Sequence, residues 1–509
     1  MASATSGPED RAVRAGEASG RAHSRRQFLR ISALGLGSVA AASLLAACGG
    51  AGPSAAPGKP TEAPAKPAEA AKPAAPAAAA QATTAPAAKP AEAAKPAADA
   101  KPAAQAAPAF AGGGSLKLLM RSHFVPAYDT WFDQWAKEWG EKNKVQIEVD
   151  HILAGELPAK WAAEAATGDG HDILGFTISG GVNVYNKHLV DVGDIVKQVG
   201  DAHGGWVEPL TSNIGKFEGT WKGLPGYFIE FGCNYRKDLF DANGLKPFDT
   251  WDDVLKGGTL LKEKGNPIGI AINQKSNDAN NSWQGVLWSY GAGYVKEDGK
   301  TVNINTPETR EAIKFALELY KNTMTNEVLS WDDTGNNQML ASGRASWIQN
   351  PISSLRTIEK DNPELAKKIF ISNAPAGPKG RFASVSTDTW GIMSWSKNQA
   401  AAKALITDWY GVFLDGVKAS QGYNQPVLLD YRKKPMLVIG EDPKLELLQD
   451  FDKAARVVGH PGPPTPAAGE VEQNWIIPLM IGQAVQTENV DAAVEWATQK
   501  IEAIYAKYK

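Results

Sequence analysis

The chain has 509 residues, with 53 Lys and Arg against 56 Asp and Glu, a formal charge of −3, and two cysteines. So even a balance speaks against a nucleic-acid groove or a polyacidic partner, and two cysteines cannot build a disulfide framework. The length calls for more than one core.

In chain order, the first informative stretch is Ser24 to Arg30, which contains Arg25-Arg26. The uncharged run Ile31 to Ala47 follows and ends in Leu45-Ala46-Ala47-Cys48. The paired arginines resemble a twin-arginine export signal. The apolar run is short for a membrane span and suits a signal h-region. The last four residues resemble a lipobox, cut before a lipid-modified cysteine. Residues 1–47 are therefore expected to be a lipoprotein signal peptide, with lipid on Cys48 and the mature chain on the outer face of the cytoplasmic membrane. An uncleaved signal anchor is the plainer alternative, although the run is only weakly hydrophobic for a stable span. Residues 48–114 are mostly Ala, Pro, Lys and Glu, and the string at 65–75 recurs at 88–98. Such a segment buries too little to offset its ordering entropy, so a disordered tether is expected. At ~3.1 Å per residue, its stretch 51–112 reaches at most roughly 190 Å when extended.

All 16 tryptophans lie beyond this point, so 115–509 is the folded part. Leu116 to Met120 reads as a buried strand. Tyr128 to Glu141 carries Trp131, Phe132, Trp135 and Trp139 at helical spacing, which assigns these tryptophans to a core. Val145 to Val149 alternates as a strand does. Trp161 to Ala166 reads as a helix stopped by Gly168, and Asp172 to Phe176 as another strand. This β-α-β-α-β order predicts a mostly parallel sheet with helices on both faces, and ligands at the carboxyl ends of its strands. Cys233, in a strand-like run, reads as a small buried hydrophobe.

Several later segments carry a family resemblance. They are Gly223-Leu224-Pro225, Asn234 to Leu245, Thr250 to Val254, Thr167 to Ile173, Gly343 to Trp347, Ala374 to Gly380, and Gly391 to Trp409. Together they resemble extracellular solute-binding proteins of ABC importers, in the carbohydrate-binding group related to maltose-binding protein. Departures are His171, Arg236, Trp347 and the proline-rich loop 461–466. The resemblance implies an α/β, two-lobed periplasmic-binding-protein-like fold with hinge crossings and a central ligand cleft. Lobe one would be about 115–228 and 376–428, and lobe two about 229–375 and 429–509. The crossings would fall near Gly226–Glu230, Pro375–Gly377 and Val427–Asp430. The implied partners are a small carbohydrate and the transmembrane permease subunits, with no nucleic acid, metal or cofactor, and the chain acting as a monomer.

A sugar offers hydroxyl edges to amides and carboxylates and C–H faces to aromatic rings. The expected lobe-one contacts are His123, Tyr128, Thr177, Ser179, Asp388 and Trp390. The hinge offers Tyr227 and Glu230, and lobe two offers Asn280, Trp283, Trp347, Asn350 and Gln425. Each of the three tryptophans reads equally as packing, Asp388 as a turn cap, and Glu230 as a hinge ion pair. No zinc, nucleophile-elbow, phosphate-loop or Cys-x-x-Cys motif is present, and Asp252-Asp253 and Asp332-Asp333 read as solvated surface. A polyamine or peptide receptor of the same architecture is the first alternative. A secreted glycosidase is the second, and it needs two carboxylates facing each other across the cleft.

Overall fold

The computed structural model describes residues 110–433 and 442–509; the export signal, Cys48 and the tether through residue 109 lie outside the described residues. The residues just before the first strand already pack. Phe110 stacks on Trp139, with ring centroids 5.9 Å apart, and the Gly113 N–H donates to the Asn143 carbonyl at 3.0 Å. The last few residues assigned to the tether by composition thus lie against the folded part.

The strands are β1 (Ser115–Arg121), β2 (Gln146–Ile152), β3 (Ile173–Phe176), β4 (Leu224–Ile229), β5 (Cys233–Arg236), β6 (Ile268–Gly269), β7 (Trp347–Gln349), β8 (Ile369–Ser372) and β9 (Ser386–Ile392), with several shorter ones between. One sheet has the order β2-β1-β3-β9-β4 and the other β8-β5-β7-β6. The expected parallel pairing holds for β1 with β2 and for β1 with β3. The sheets as wholes are mixed: β9 runs antiparallel to both β3 and β4, and β5 runs antiparallel to β7 and β8. The cause is the crossing of the chain. Strand β4 leads out to the second sheet through Glu230, Phe231 and Gly232, and β9 leads back, so the two must run in opposite directions. Parallel neighbours instead need a covering helix between them.

The longer helices used below are α1 (Pro126–Asn143), α2 (Leu157–Thr167), α3 (Trp251–Glu263), α4 (Asn277–Ser289), α5 (Pro307–Thr323), α6 (Pro466–Gln473), α7 (Ile476–Thr487) and α8 (Val490–Ala506). Pro126 enters α1 in its first turn, where a missing N–H costs nothing. Gly168 ends α2 at φ +66°, a left-handed position that glycine adopts without strain. Thr250 and Asp253 form a reciprocal capping box at the start of α3, so Asp253 caps a helix. In α4 only Asn277 escapes burial among its 13 residues, so its polar side chains are held inside the protein. His171, the departure next to β3, bridges Glu164 at 2.6 Å and Asp150 at 3.1 Å. No described helix is long and apolar enough to cross a membrane.

Between β8 and β9 the chain forms a small hairpin, Ala376–Gly377 with Gly380–Arg381. A later segment returns beside β4, where Gln425 and Phe228 exchange both backbone hydrogen bonds. The three C-terminal helices pack on one another, and α7 packs on α4 and α5. Helix α6 also lies against Gly181–Tyr185, which follows β3.

Candidate functional site

Strands β1, β2, β3 and β4 all end at the edge where β9 begins, so their carboxyl ends and the first residues of β9 converge. Arg121, the last residue of β1, sits there only 5% exposed. Its Nη2 donates to the Tyr227 hydroxyl at 3.4 Å, and its Nε lies 3.8 Å from Asp388 Oδ2. Asp388 also accepts from the Tyr227 hydroxyl and from Trp390 Nε1, each at 3.0 Å. The rings of Phe124, Tyr227 and Tyr423 lie within 6 Å of the guanidinium carbon, at 5.6, 5.8 and 5.5 Å. Burial pushes the Asp388 carboxyl up to about 6, against the pull of Arg121 and the two hydrogen bonds. At neutral pH it is ionised and paired.

His123 completes this wall. Its Nδ1 accepts from the Val125 N–H at 2.9 Å, so the proton sits on Nε2, which donates to Asn424 Oδ1 at 2.9 Å. Burial, with Arg121 nearby, lowers its pKa to about 3. The imidazole is therefore a fixed neutral donor that packs against Tyr128, Tyr227 and Tyr423.

The second lobe presents a carboxylate and amide network. Asn336 Nδ2 donates to Asp278 Oδ2 at 2.8 Å and to Asn350 Oδ1 at 3.1 Å. Ser276 Oγ and the Asp278 N–H both donate to Asp333 Oδ1, at 2.8 and 3.2 Å. Burial, then their mutual repulsion, raises Asp278, and the Arg121 guanidinium across the cleft opposes that rise. The two walls thus sense each other electrostatically.

A third group lies where α4 and α6 meet the end of β3. Ser179 Oγ accepts from the Val458 N–H at 3.1 Å, Ser384 Oγ donates to Asn281 Oδ1 at 2.8 Å, and Asn280 Nδ2 donates to the Glu472 carbonyl at 3.0 Å. Asn280 Oδ1, Gln284 Oε1, Gln425 Oε1 and Glu472 Oε2 are buried with no hydrogen-bond partner among the described residues. Burial pushes Glu472 up to about 8, while the Gly180 N–H pulls it down. It carries a proton at neutral pH and acts as a donor. Such an arrangement of neutral amides, a protonated carboxyl and hydroxyls is chemically suited to binding hydroxyl groups. Among the described residues no group of three or more His, Cys, Asp and Glu is placed to hold a metal.

Residues 125–410 match the family described as bacterial extracellular solute-binding protein. The chain belongs to the bacterial extracellular solute-binding protein family. A probable ABC transporter-binding protein of Deinococcus radiodurans is 22% identical over 213 residues, 40% of this chain. The chain spans half the length of that relative. The fold is similar to three solved structures. An ABC transporter solute-binding protein of Thermotoga lettingae, bound with α-D-tagatose, is 20% identical with a TM-score of 0.67, over 77% of this chain and 100% of that one. One from Agrobacterium radiobacter in complex with ribitol is 18% identical with a TM-score of 0.66, over 77% and 99%. A sugar transporter protein of Arthrobacter chlorophenolicus with bound laminaribiose is 14% identical with a TM-score of 0.69, over 77% and 99%.

In this solute-binding protein the structure gathers His123, Tyr128, Tyr227 and Asp388 on one wall and Asn350 on the facing one. It gathers Thr177, Ser179 and Asn280 in the third group, with Gln425 on the returning hinge segment. Glu230 is turned elsewhere, into a hinge cavity of about 370 Å³ shared with Arg381 and Lys453, where burial pushes it up to about 8. Its Oε2 has no hydrogen-bond partner among the described residues. The tryptophans correct the sequence reading: Trp283, Trp347 and Trp390 are each fully buried. Trp283 donates to the Ala271 carbonyl, Trp347 packs against Trp251 and Phe248, and Trp390 against Trp409 and Phe132. A rigid indole fills a lobe core as readily as it faces a cleft. Asp332 is exposed as expected, while Asp333 is half-buried and accepts from Ser276 Oγ and the Asp278 N–H. Sequence reasoning missed Arg121, Tyr423, Asn424, Asp278, Asn336 and Glu472. A cation ending a buried strand, as Arg121 does, was the signal available for the first.

Proposed function

We propose that the chain is an extracytoplasmic receptor, anchored by lipid on Cys48, that takes a neutral sugar or polyol between its lobes and delivers it to the permease of an ABC importer. The lobes divide near 115–228 with 376–428 and 229–375 with 429–509, and the monomer binds its solute without converting it. The observation that carries this reading is the set of buried, partnerless atoms on Asn280, Gln284, Gln425 and Glu472. A buried polar atom left unpaired costs about 1–3 kcal/mol, and a solute rich in hydroxyls pairs with all four. Tagatose, ribitol and laminaribiose in proteins of the same fold support that class. With the three tryptophans in the cores, the cleft has fewer stacking platforms, which favours a short sugar or polyol over a long oligosaccharide. The carboxylates on the two walls, Asp278, Asp333 and Asp388, outnumber Arg121, and this favours an amine as the second reading.

Native mass spectrometry of the purified full chain tests the class. A non-covalent adduct with the mass of a sugar or polyol supports the reading. An amine adduct moves it to the second, and turnover of an added glycoside overturns it. Cys48→Ala, in cells, is expected to remove covalent lipid and release the protein; retention as firm as wild type would remove the anchor. Replacing both Arg25 and Arg26 by Lys is expected to hold precursor in the cytoplasm, and unchanged export would indicate the general secretory route.

A further inference from the structure

A larger cavity, about 770 Å³, lies apart from the Arg121 wall. One side is the first-lobe stretch from Ser212 to Gly219; the other is the proline-rich loop and the C-terminal helix α8. The volume falls in the range of roughly 300–1,000 Å³ usual for small-molecule sites. Its walls are largely apolar. Pro463, Pro464 and Pro466 face it, with Phe217, Tyr505 and Tyr508. The proline-rich loop, which the sequence marked as a departure from its family, is thus a wall of this cavity.

One buried polar side chain also lines it. Asn183 is 2% exposed, and its Nδ2 donates to the carbonyls of Pro464 at 3.0 Å and Lys216 at 3.4 Å. Those bonds fix the amide, and Oδ1 has no hydrogen-bond partner among the described residues. The unmet group is therefore an acceptor, which calls for an N–H or O–H. Around the cavity stand the side chains of Lys216, Lys300 and Lys509 against the one carboxylate side chain of Glu218. The Lys216 ammonium lies 4.7 Å over the ring of Trp221, a residue outside the cavity lining, so Lys300 and Lys509 are the freer cations here.

We propose that this cavity is a second ligand site, which takes a small ring compound carrying an N–H or O–H donor for Asn183 and a negative group for the lysines. It is a place distinct from the solute groups, since none of Arg121, Asp278 or Glu472 lines it, although its walls come from both lobes.

8-Anilinonaphthalene-1-sulfonate has the required parts: fused rings, one N–H and a sulfonate. Titration of the full chain, followed by dye fluorescence and calorimetry, is expected to give one saturable site. Lys300→Glu, at an exposed position, is expected to weaken it at least fivefold. Ser212→Trp, which fills the cavity from its half-buried edge, is expected to weaken it at least tenfold. Lys137→Glu, on the outer face of α1, is expected to leave it unchanged. Naphthalene-2-sulfonate, which lacks the N–H, is expected to bind at least fivefold more weakly than the anilino dye. Thermal melts establish that each variant is folded. No saturable binding, or binding indifferent to both Lys300→Glu and Ser212→Trp in folded protein, would overturn the proposal.

Discussion

Around Arg121, polar side chains bind one another: Tyr227 and Trp390 both donate to Asp388, and His123 donates to Asn424. Along α4, by contrast, Asn280 gives its Nδ2 to the Glu472 carbonyl and keeps Oδ1 without a protein partner, and Gln284 keeps Oε1. The first region is a cross-linked network whose members fix each other's position. The second is a rigid helix that offers its remaining hydrogen-bonding capacity to something else. Arg121 Nε, Tyr128 Oη and Asn424 Nδ2 lack a hydrogen-bond partner among the described residues in the first region, as Asn280 Oδ1 and Gln284 Oε1 do in the second. So neither burial nor a single unpaired atom separates structural from functional polar residues; what differs is how many of a side chain's bonds hold its neighbours in place. Removing a member of the first region should damage folding and binding together. Removing a free group of the second should damage binding alone.

The largest effect is expected from Arg121→Met, which leaves Asp388 buried without its cation. Loss of one partner of a buried pair costs about 3–5 kcal/mol, read by urea denaturation, and solute binding should fall with it. Stability close to wild type would mean that the wall is not cross-linked as described. A comparable cost, about 3–5 kcal/mol, is expected for Trp347→Ala, because a fully buried indole leaves a cavity. If the folded variant instead lost sugar binding at unchanged stability, the tryptophan would belong to the cleft.

Glu472→Gln is expected to change how stability depends on pH. The folded carboxyl holds its proton to about pH 8, against an ordinary value of 4.5. Its contribution to stability is present below 4.5 and is lost as the pH rises through 8, because the folded state must then bury a charge. Glutamine stays neutral throughout. The variant should match wild type at pH 5 and exceed it at pH 9, by on the order of a few kcal/mol since each pKa unit is worth about 1.4 kcal/mol. A difference between melting curves that is flat with pH would remove the buried acid. The smallest change in stability is expected for Gln284→Ala, about 1 kcal/mol or less. Its solute affinity should nevertheless fall about tenfold, or about 1.4 kcal/mol.

Local signals made the fold readable. Period-two alternation marked β2, the spacing of Trp131, Phe132, Trp135 and Trp139 marked α1, and Gly168 marked the end of α2. The antiparallel pairing of β9 was not readable, because it follows from a chain crossing more than a hundred residues after β4. At the site, strand ends pointed to His123, Tyr128, Thr177 and Ser179, and the expected hinge to Tyr227. Tyr423, Asn424 and Glu472 were invisible because they join the cleft only through the returning hinge segment and α6. Glu230 was legible as a hinge residue but not for its direction, since one step along an extended chain turns a side chain to the other face. Trp283, Trp347 and Trp390 misled because the bulk that suits a sugar face also suits a core.

In the proposed function, the unpaired amides and the protonated carboxyl between the lobes receive a neutral hydroxylated solute. Calorimetry of the full chain against tagatose, ribitol, mannitol, maltose, laminaribiose and spermidine tests it most directly, with small-angle scattering of the free and loaded protein. One sugar or polyol is expected to bind with affinity in the micromolar range, about −8 kcal/mol, without being converted. The loaded particle is expected to be no larger than the free one. Binding of spermidine with no binding by any sugar or polyol, or chemical conversion of the bound solute, would contradict that function.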